Sequence, residues 1–448
     1  MSLRVLRESK PYHVAAAIVR KLQQHGYVAY FAGGCVRDAL LSIPPKDIDI
    51  ATSANPEQVQ DLFQRTVPVG IQFGVVRVLI DEMDFEVATF RSDGVYLDGR
   101  RPADVRFSTP EEDAMRRDFT INGMFYDPGS DHLIDYVSGR EDLSRKLLRA
   151  IGQASKRFAE DRLRMLRAVR LAATLGFEIE AETWSAIKKE AQEIAIVSPE
   201  RIREELLKIM VNPHRLRGFD LLDQSGLLAV ILPEVEALKG CDQPEQFHPE
   251  GDVFVHTRLM LGLLAPDASA EQVLAVLLHD IGKPPTRSFD QVDQRIRFNG
   301  HDRVGAEMAE KVMTRLRFPR QEIDLVVEAV RNHMIFKDVR QMRPAKLRRF
   351  MARPHFAIEL ELHRIDCSGS HGDLDNYQFL LNKASEFSQE PLIPPRLVRG
   401  DDLISMGLSP GPRIGQLLEA IQTAQLEGEV KTRTEAIELL KSLLGGTD

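Results

Sequence analysis

Between Val28 and Ala51 the chain leaves little freedom in how it folds. Val28 to Ala32 is apolar and β-prone, Gly33-Gly34 follows with no side chains, and Val36 to Leu41 resumes with helical character. Asp47-Ile48-Asp49-Ile50-Ala51 then alternates acid with apolar residue. A strand there sends both carboxylates to one face and Ile48 and Ile50 into a core. These elements predict a mixed α/β layer at the amino-terminal end.

The same residues predict a chemistry. A glycine turn lets backbone approach phosphate, the free amides of the following helix favour anions, and Arg37 adds a planar charged fork. Asp47 and Asp49 repel each other unless cations neutralise them. Two Mg²⁺ ions about 3.5–4 Å apart would do so and would suit in-line transfer of a nucleotidyl group. Further on, Arg116-Arg117-Asp118-Phe119-Thr120-Ile121-Asn122 sets two guanidinium groups beside an apolar run, a second hold for a triphosphate and ribose.

Glu160-Asp161-Arg162-Leu163-Arg164 is expected to open a helix running through Arg167 and Arg170. Asp161, Arg164, Arg167 and Arg170 then occupy neighbouring rows of one face. Asp161 with Arg164 places an acceptor beside a donor fork, complementary to the Watson–Crick edges of both cytosine and adenine. Uracil and guanine would meet the carboxylate acceptor to acceptor, a mismatch that rejects strongly once desolvated.

Organisation changes once along the chain. Up to about residue 150, short β-prone runs (Gly74 to Ile80, Phe85 to Thr89, His132 to Val137) alternate with helical patterns at Val14 to Gln24 and Pro56 to Gln64. Beyond it the chain is expected to be nearly all helical, with Ser198-Pro199-Glu200 capping a helix through Met210. Joints are expected near Asn212-Pro213, Pro244 to Gly251 and Ile393-Pro394-Pro395. A length of 448 residues suits roughly two to four domains. Cys35, Cys241 and Cys367 lie far apart and support neither a disulfide framework nor a zinc cluster, so a reducing cytoplasm is expected. No segment approaches the roughly 20 apolar residues of a membrane span, and no membrane partner is expected.

Net charge is −8, which argues against a uniformly basic coat, yet the charge is uneven. Arg331, Lys337, Arg340, Arg343, Lys346, Arg348, Arg349 and Arg353 face the single acid Asp338 over that stretch. Two such basic stretches on an acidic chain, the other at Arg140 to Arg170, suggest a polyanion gripped in specific places. In the second half, His256, His279-Asp280, His301, His333 and Asp366 resemble the ordered ligands of HD-domain metal phosphohydrolases. Leu274 to Leu278 is an apolar run that would present His279-Asp280 at a helix end. His256, His279, Asp280 and Asp366 offer mixed nitrogen and oxygen donors suited to Mg, Mn, Ni or a similar divalent ion, and His301 and His333 could take phosphate or a second metal.

Taken in order, Gly33-Gly-Cys-Val-Arg-Asp38, Asp47-Ile-Asp-Ile-Ala-Thr52, Arg116-Arg-Asp-Phe-Thr-Ile-Asn122, Glu160-Asp-Arg-Leu-Arg164 and Pro199-Glu-Arg-Ile-Arg-Glu204 resemble the motifs of class II tRNA nucleotidyltransferases. The resemblance covers roughly residues 25–235. It implies a fold class of α/β plus all-α: a nucleotidyltransferase head with a small mixed sheet (1–150), a helical neck and body with the nucleotide-selecting helix (151–238), an HD domain (239–370) and a helical tail (371–448). It gives Asp47 and Asp49 the Mg²⁺ ions, with Glu86 a candidate third acid. Gly34, Arg37, Arg117, Asp118, Asn122, Asp161, Arg164, Arg167 and Arg170 receive the incoming CTP or ATP. Gly123 stands where alanine is expected, and looser packing follows from that.

Two functions of different class emerge. One is template-independent addition of C, C and A to tRNA 3′ ends, with possible phosphoester hydrolysis at the HD site for end repair. The other is an HD phosphohydrolase carrying a degenerate RNA-binding head. Within the transferase class, CC-adding, A-adding and poly(A) polymerase relatives look alike at these motifs. Arg91 to Phe107 resembles the flexible loop that lets the pocket switch to ATP, and the end from Glu427 to Asp448 lacks a basic extension; both favour complete CCA addition. Arg340, Arg343, Lys346, Arg348 and Arg349 are expected to touch RNA phosphates. Oligomeric state is not legible in the residues.

Overall fold

The computed structural model describes residues 3–68, 74–93, 105–244, 249, 251–388 and 391–445. It divides into two compact units, Met1–Pro233 and Glu234–Asp448. The first is built on a seven-stranded sheet of β1 (Ala29–Ala32), β2 (Asp49–Thr52), β3 (Thr66–Val67), β4 (Val75–Ile80), β5 (Met83–Thr89), β8 (Met124–Asp127) and β9 (His132–Asp135), with β6 (Arg91–Asp93) and β7 (Val105–Phe107) pairing apart from it. Strand order is β3-β4-β5-β2-β1-β8-β9, and only the β2–β5 pair is parallel.

Register is what makes the sheet useful. Antiparallel pairing sets Asp49 opposite Ala32, the last residue of β1 before the glycine turn. On the other side Ile50 pairs with Val87, so Asp49 and Glu86 stand side by side one position earlier on each strand. The expected alternation holds: Ile48 and Ile50 are buried while Asp47 and Asp49 are exposed. Only Asp49 belongs to the strand, because Asp47 lies just ahead of it. Tyr30, Phe90 and Phe125 pack ring against ring, with Ala32, Ala51 and Ala114 around them.

Helix Lys10–Gln24 begins one turn earlier than the apolar pattern predicts, with Pro11 in its first turn, and buries Ala15, Ile18, Val19 and Leu22. Helix Pro56–Leu62 is held by a reciprocal cap between Asn55 and Gln58. The helix Pro199–Met210 has the expected bounds, but the Ser198 side chain makes no capping hydrogen bond. Gly123 corrects an expectation too. A Cβ there would lie 2.6 Å from Val137 Cγ2 and 3.2 Å from Ile151 Cδ1, so glycine marks tight packing rather than loose.

Past residue 150 helices dominate, in keeping with a nearly all-helical expectation, and the strands near and beyond that point are short. β10 (Leu147–Leu148) pairs in parallel with β11 (Glu178–Ile179), and a hairpin joins β12 (Ser288–Asp290) to β13 (Arg295–Arg297). Alternation over three residues is too short to register as a strand signal. The second unit holds helices Val253–Leu263, Ala270–Leu278, His301–Arg315, Arg320–Asn332 and Phe356–Gly369, which carry the histidines described below. Near the carboxyl end, Val398, Leu403, Leu418, Ile421, Ala436 and Leu440 form a separate core. Among the described residues no helix is long and apolar enough to cross a membrane.

Candidate functional site

In the first unit, a pocket of about 490 Å³ gathers residues that lie far apart in the chain: Gly33, Gly34, Arg37, Asp49, Arg116, Arg117, Asp118, Asn122, Asp161, Leu163, Arg164, Arg167, Arg170, Leu171 and Arg201. Every expected nucleotide-binding residue lies on its wall; Asp47 and Glu86 do not. Seven guanidinium groups face three carboxylates on that wall, so its field selects an anion.

The turn that feeds the pocket requires glycine at position 33. Gly33 has φ of +74°, and a Cβ there would meet Arg117 Nη1 at 3.0 Å. Most of the arginines are oriented by partners. Arg37 Nη1 donates to Asn122 Oδ1 at 2.6 Å, and its Nε donates to Asp38 Oδ1 at 2.8 Å. Arg117 donates through Nε and Nη2 to Asp113 Oδ2 at 3.1 and 3.0 Å, with its guanidinium 5.0 Å from the Phe125 ring. Asp113 takes Arg116 on its other oxygen at 2.9 and 2.7 Å. Burial raises the Asp113 carboxyl, but Arg117 and Arg116 overcome it and hold it below the usual range.

Asp113 was not among the expected residues, and neither was Arg201. The first sits four residues before Arg117 on helix Pro110–Met115, a spacing that signals an ion pair. Arg201 lies inside the quoted Pro199 to Glu204 segment, yet nothing linear ties it to Asp161.

Asp161 and Arg164 do face one pocket, with a correction to their placement. Asp161 is not on the nucleotide-facing helix. It ends the preceding helix Ala154–Glu160 in extended conformation, and the next helix begins at Arg164. Asp161 Oδ1 accepts from the Leu163 amide at 3.1 Å and Oδ2 accepts from Arg201 Nη2 at 2.7 Å. Arg164 Nη1 donates to Glu160 Oε2 at 2.5 Å and to Arg157 O at 2.9 Å, while Nη2 donates to Arg116 O at 3.1 Å. Both side chains are therefore aimed before any base arrives.

Asp118 and Asn122 line the pocket but are already engaged. Asp118 Oδ2 accepts from Arg167 Nε and Nη2 at 2.8 and 2.5 Å, and Oδ1 accepts from Asn122 Nδ2 at 3.0 Å. Burial opposes ionisation of Asp118, yet the Arg167 guanidinium and Asn122 hold its carboxyl well below the ordinary value. Arg170 is steered by the buried Glu205, its Nε donating to Oε2 at 2.6 Å.

Asp49 and the acids beside it suit a cation. Crowding by surrounding protein, then the charges of Glu86 and Asp47, push the Asp49 carboxyl up to about 6, with Arg117 pulling the other way. A raised carboxyl beside two further acids, with oxygen donors only, suits a hard divalent ion.

The second unit contains the other constellation. His256 comes from helix Val253–Leu263, His279 and Asp280 emerge at the end of helix Ala270–Leu278 as expected, His301 opens its helix, His333 follows helix Arg320–Asn332, and Asp366 comes from Phe356–Gly369. Gly282 makes this convergence possible, since a Cβ there would meet His301 O at 2.1 Å. Ligand atoms of His256, His279 and Asp280 lie within 4.8 Å of one another, as do those of Asp280, His301 and His333. Asp280 thus belongs to both triads. His256 Nε2 lies 3.0 Å from Asp366 Oδ1.

Ring orientation tests the fit to a metal. Nδ1 of His279, His301 and His333 sits 2.8, 2.7 and 2.5 Å from the carbonyl oxygens of Val276, Phe298 and Val330. A carbonyl only accepts, so each Nδ1 carries a proton and Nε2 is the ring atom turned inward as the candidate ligand. Nε2 of His301 and His333 face each other at 3.1 Å. Burial, then the neighbouring His301, lower the His333 imidazole to about 4, which keeps it neutral. Burial opposes the charge on Asp280, but His279 and Lys283 hold it well below the usual range. Converging imidazole nitrogens beside a carboxylate fit a divalent cation.

The expected RNA contacts divide. Arg343 and Lys346 are exposed. Arg340 donates to Asn376 Oδ1 and Asp375 O, the Arg348 guanidinium lies 4.1 Å from the Phe387 ring, and Arg349 pairs with Glu419 at 2.7 Å. These three already have partners within the protein, Arg340 on exposed surface and Arg348 and Arg349 half-buried. The loop expected at Arg91 to Phe107 is described only at its ends, where Arg91 pairs with Phe107; its middle lies outside the described residues.

A mixed sheet presenting an acid pair beside an arginine-lined pocket defines a nucleotidyltransferase head, joined in one chain to an HD-type centre. Comparison with known proteins agrees. Residues 29–149 match the poly(A) polymerase head domain, 176–239 the probable RNA- and SrmB-binding site of polymerase A, and 253–355 the HD domain. The CC-adding tRNA nucleotidyltransferase of Thermus thermophilus is 33% identical over 94% of this chain and 94% of its own. The CCA-adding enzyme of Streptococcus gordonii is 32% identical over 95% and 96%. A crystal structure of the Bacillus stearothermophilus CCA-adding enzyme in complex with CTP superimposes with a TM-score of 0.74 at 28% identity, covering 98% of this chain and 99% of that one. The chain belongs to the tRNA nucleotidyltransferase family of CC- and CCA-adding enzymes.

Proposed function

We propose that this nucleotidyltransferase adds CCA to tRNA 3′ ends from CTP and ATP, using the pocket of the first unit for both nucleotides. The observation that carries the reading is the aimed pair Asp161 and Arg164, which matches the edges of cytosine and adenine and opposes uracil and guanine. In the transfer, the RNA 3′ oxygen bonds to the α-phosphorus, the bond to pyrophosphate breaks, and the hydroxyl proton departs. Arg37, Arg117, Arg167 and Arg170 hold triphosphate and ribose, while Asn122 and Asp38 keep Arg37 in position and Asp113, Asp118 and Glu205 do so for the other three. Asp47 and Asp49, with Glu86 beside them, would hold Mg²⁺, which when bound activates the hydroxyl and neutralises the triphosphate.

Complete CCA addition is favoured over the CC product of the Thermus relative by the retained Arg91 to Phe107 segment, whose ends pair as a hairpin base. The test is incubation of tRNA lacking its three terminal nucleotides with CTP, ATP or both. Three added nucleotides with both substrates support the proposal. Two with both, or runs of A with ATP alone, replace it with a CC-adding enzyme or a poly(A) polymerase.

Within the same proposal, His256, His279, Asp280 and Asp366 would hold a divalent ion (Mg, Mn or Ni), and His301 and His333 with Asp280 would hold a second. Such ions, when bound, would supply the water activation that phosphoester hydrolysis needs, a second activity on RNA ends. The head is not degenerate, since every pocket residue the transfer needs is present. Arg343 and Lys346 are exposed members of the basic stretch and the first expected contacts to RNA phosphate. The functional divisions 1–150, 151–238, 239–370 and 371–448 and a cytoplasmic location complete the proposal.

A further inference from the structure

One carboxylate in the second unit is fully buried yet belongs to neither triad. Glu359 is 0% exposed on helix Phe356–Gly369. Burying an ionised group is costly, and an apolar pair of similar volume often packs as stably, so such a group calls for a role beyond filling space. Two partners meet it. Arg353 pairs with Oε2, its guanidinium lying 4.3 Å from the Phe350 ring. Asn332 Nδ2 donates to Oε1 at 2.8 Å. A carboxylate paired with a guanidinium only accepts, so that contact fixes which end of the Asn332 amide is nitrogen.

Asn332 is the last residue of helix Arg320–Asn332, and His333 is the first of a 3₁₀ helix, His333–Gln341. The hydrogen-bond ladder changes its repeat at that joint, so the backbone there is held less firmly by its own helix than in the turns before it. The Asn332 side chain crosses at this point to the neighbouring helix. Two turns after Glu359 that same helix presents Asp366, whose Oδ1 lies 3.0 Å from His256 Nε2. His333 Nε2 meanwhile faces His301 Nε2 at 3.1 Å and lies 3.9 Å from Asp280 Oδ1. One hydrogen bond therefore ties the joint that carries His333 to the helix that carries Asp366.

We propose that Glu359 is a positioning residue: through Asn332 it holds His333 Nε2 at the spacing that lets Asp280, His301 and His333 share a cation. The assignment rests on reading those three residues as holding a second divalent ion, and it names what fixes their spacing. Glu359 touches neither the cation nor a substrate. Asp366 keeps its own contact with His256 whether or not the Asn332 bond is made, so the cation held by His256, His279, Asp280 and Asp366 is spared when that bond is lost.

The test uses the full chain carrying Asp47→Ala and Asp49→Ala, which takes the acid pair of the first unit out of the count. Manganese is titrated by equilibrium dialysis, and electron spin resonance at each step distinguishes a lone ion from a coupled pair. This parent should take up two ions in two steps, the second step giving the coupled signal. Asn332→Asp, which sets carboxylate against carboxylate, should weaken the second step about 10–100-fold, the usual cost of losing a partner behind a metal ligand, with the first step unchanged. Asn332→Ala, which removes the donor and adds no charge, should split the steps in the same direction. Adding Glu359→Gln to Asn332→Asp exchanges donor and acceptor while still offering Arg353 an oxygen, so it should restore the second step and the coupled signal. Two unaltered steps in both single variants overturn the positioning role alone. Equal weakening of both steps, or no recovery in the exchanged pair, overturns it as well, since ordinary packing would behave so. A parent that takes up one ion or none overturns the second-cation reading and the proposal with it.

Discussion

Asp49 stands exposed at a strand end with arginines on the neighbouring wall, whereas Asp280 is buried among four imidazoles and a lysine. In the first centre the protein supplies few ligands, so charge balance awaits a triphosphate, and cations should come and go with the nucleotide. In the second the protein surrounds the site with oriented nitrogen and oxygen donors, so a cation can stay between turnovers. On the proposed reading one site is completed by its substrate and the other is self-contained, and their metals should be separable.

The sharpest way to break that contrast is to remove one acid at a time. Asp49→Ala should reduce nucleotide incorporation by at least about 10²–10³-fold, the scale of losing a preorganised electrostatic group, while manganese uptake in the second unit stays full. Gel extension of tRNA alongside dialysis reads both quantities. His279→Ala with Asp280→Ala should do the reverse, abolishing that uptake and leaving extension intact. Loss of extension in the double variant would show that the centres are not independent.

Specificity in the first centre should yield next. Asp161→Asn turns an acceptor into a group that can also donate, so uracil is no longer opposed acceptor to acceptor. Discrimination of CTP over UTP should fall about 10–100-fold, seen in kcat/KM measured for each nucleotide. Unaltered discrimination would assign base choice to other residues.

Smaller effects come from the supports. Asp118→Asn unpairs a buried carboxylate partner of Arg167 and should cost about 1–3 kcal/mol of stability at neutral pH. The folded-state carboxyl is depressed, so its contribution is complete above the unfolded value of about 3.9 and is lost as pH falls through the folded one. Urea midpoints of wild type and variant should stay separated down to about pH 4 and converge only in stronger acid; convergence near neutrality would contradict the pairing. Least of all, Arg343→Glu with Lys346→Glu should flatten the dependence of tRNA affinity on salt by roughly one unit of log–log slope per lost phosphate contact. An unaltered slope would return both residues to ordinary solvated surface.

Much of the head was legible because its signals are local. Alternation around Ile48 and Ile50 announces which face Asp47 and Asp49 occupy, and a three-residue spacing places Arg164, Arg167 and Arg170 on neighbouring rows. Asp161 was misplaced because residues 160 and 161 continue a helical spacing that the backbone abandons, its carboxylate instead accepting from the Leu163 amide. Asp113, Arg201 and Glu359 escaped for another reason. Each holds a group brought near by folding, and no periodicity records such a neighbour.

By itself the sequence determined the element types, the family and the residue kinds able to carry phosphate and metal chemistry, since strand alternation, helix spacing and glycine turns are written within a few residues. Tertiary structure alone decided that Asp280 serves two triads, that Asp118 holds Arg167 and that the buried Glu359 accepts from Asn332. Those facts depend on distances between segments far apart in the chain, 49 residues for Asp118 and Arg167 and 27 for Asn332 and Glu359, and only packing sets such distances.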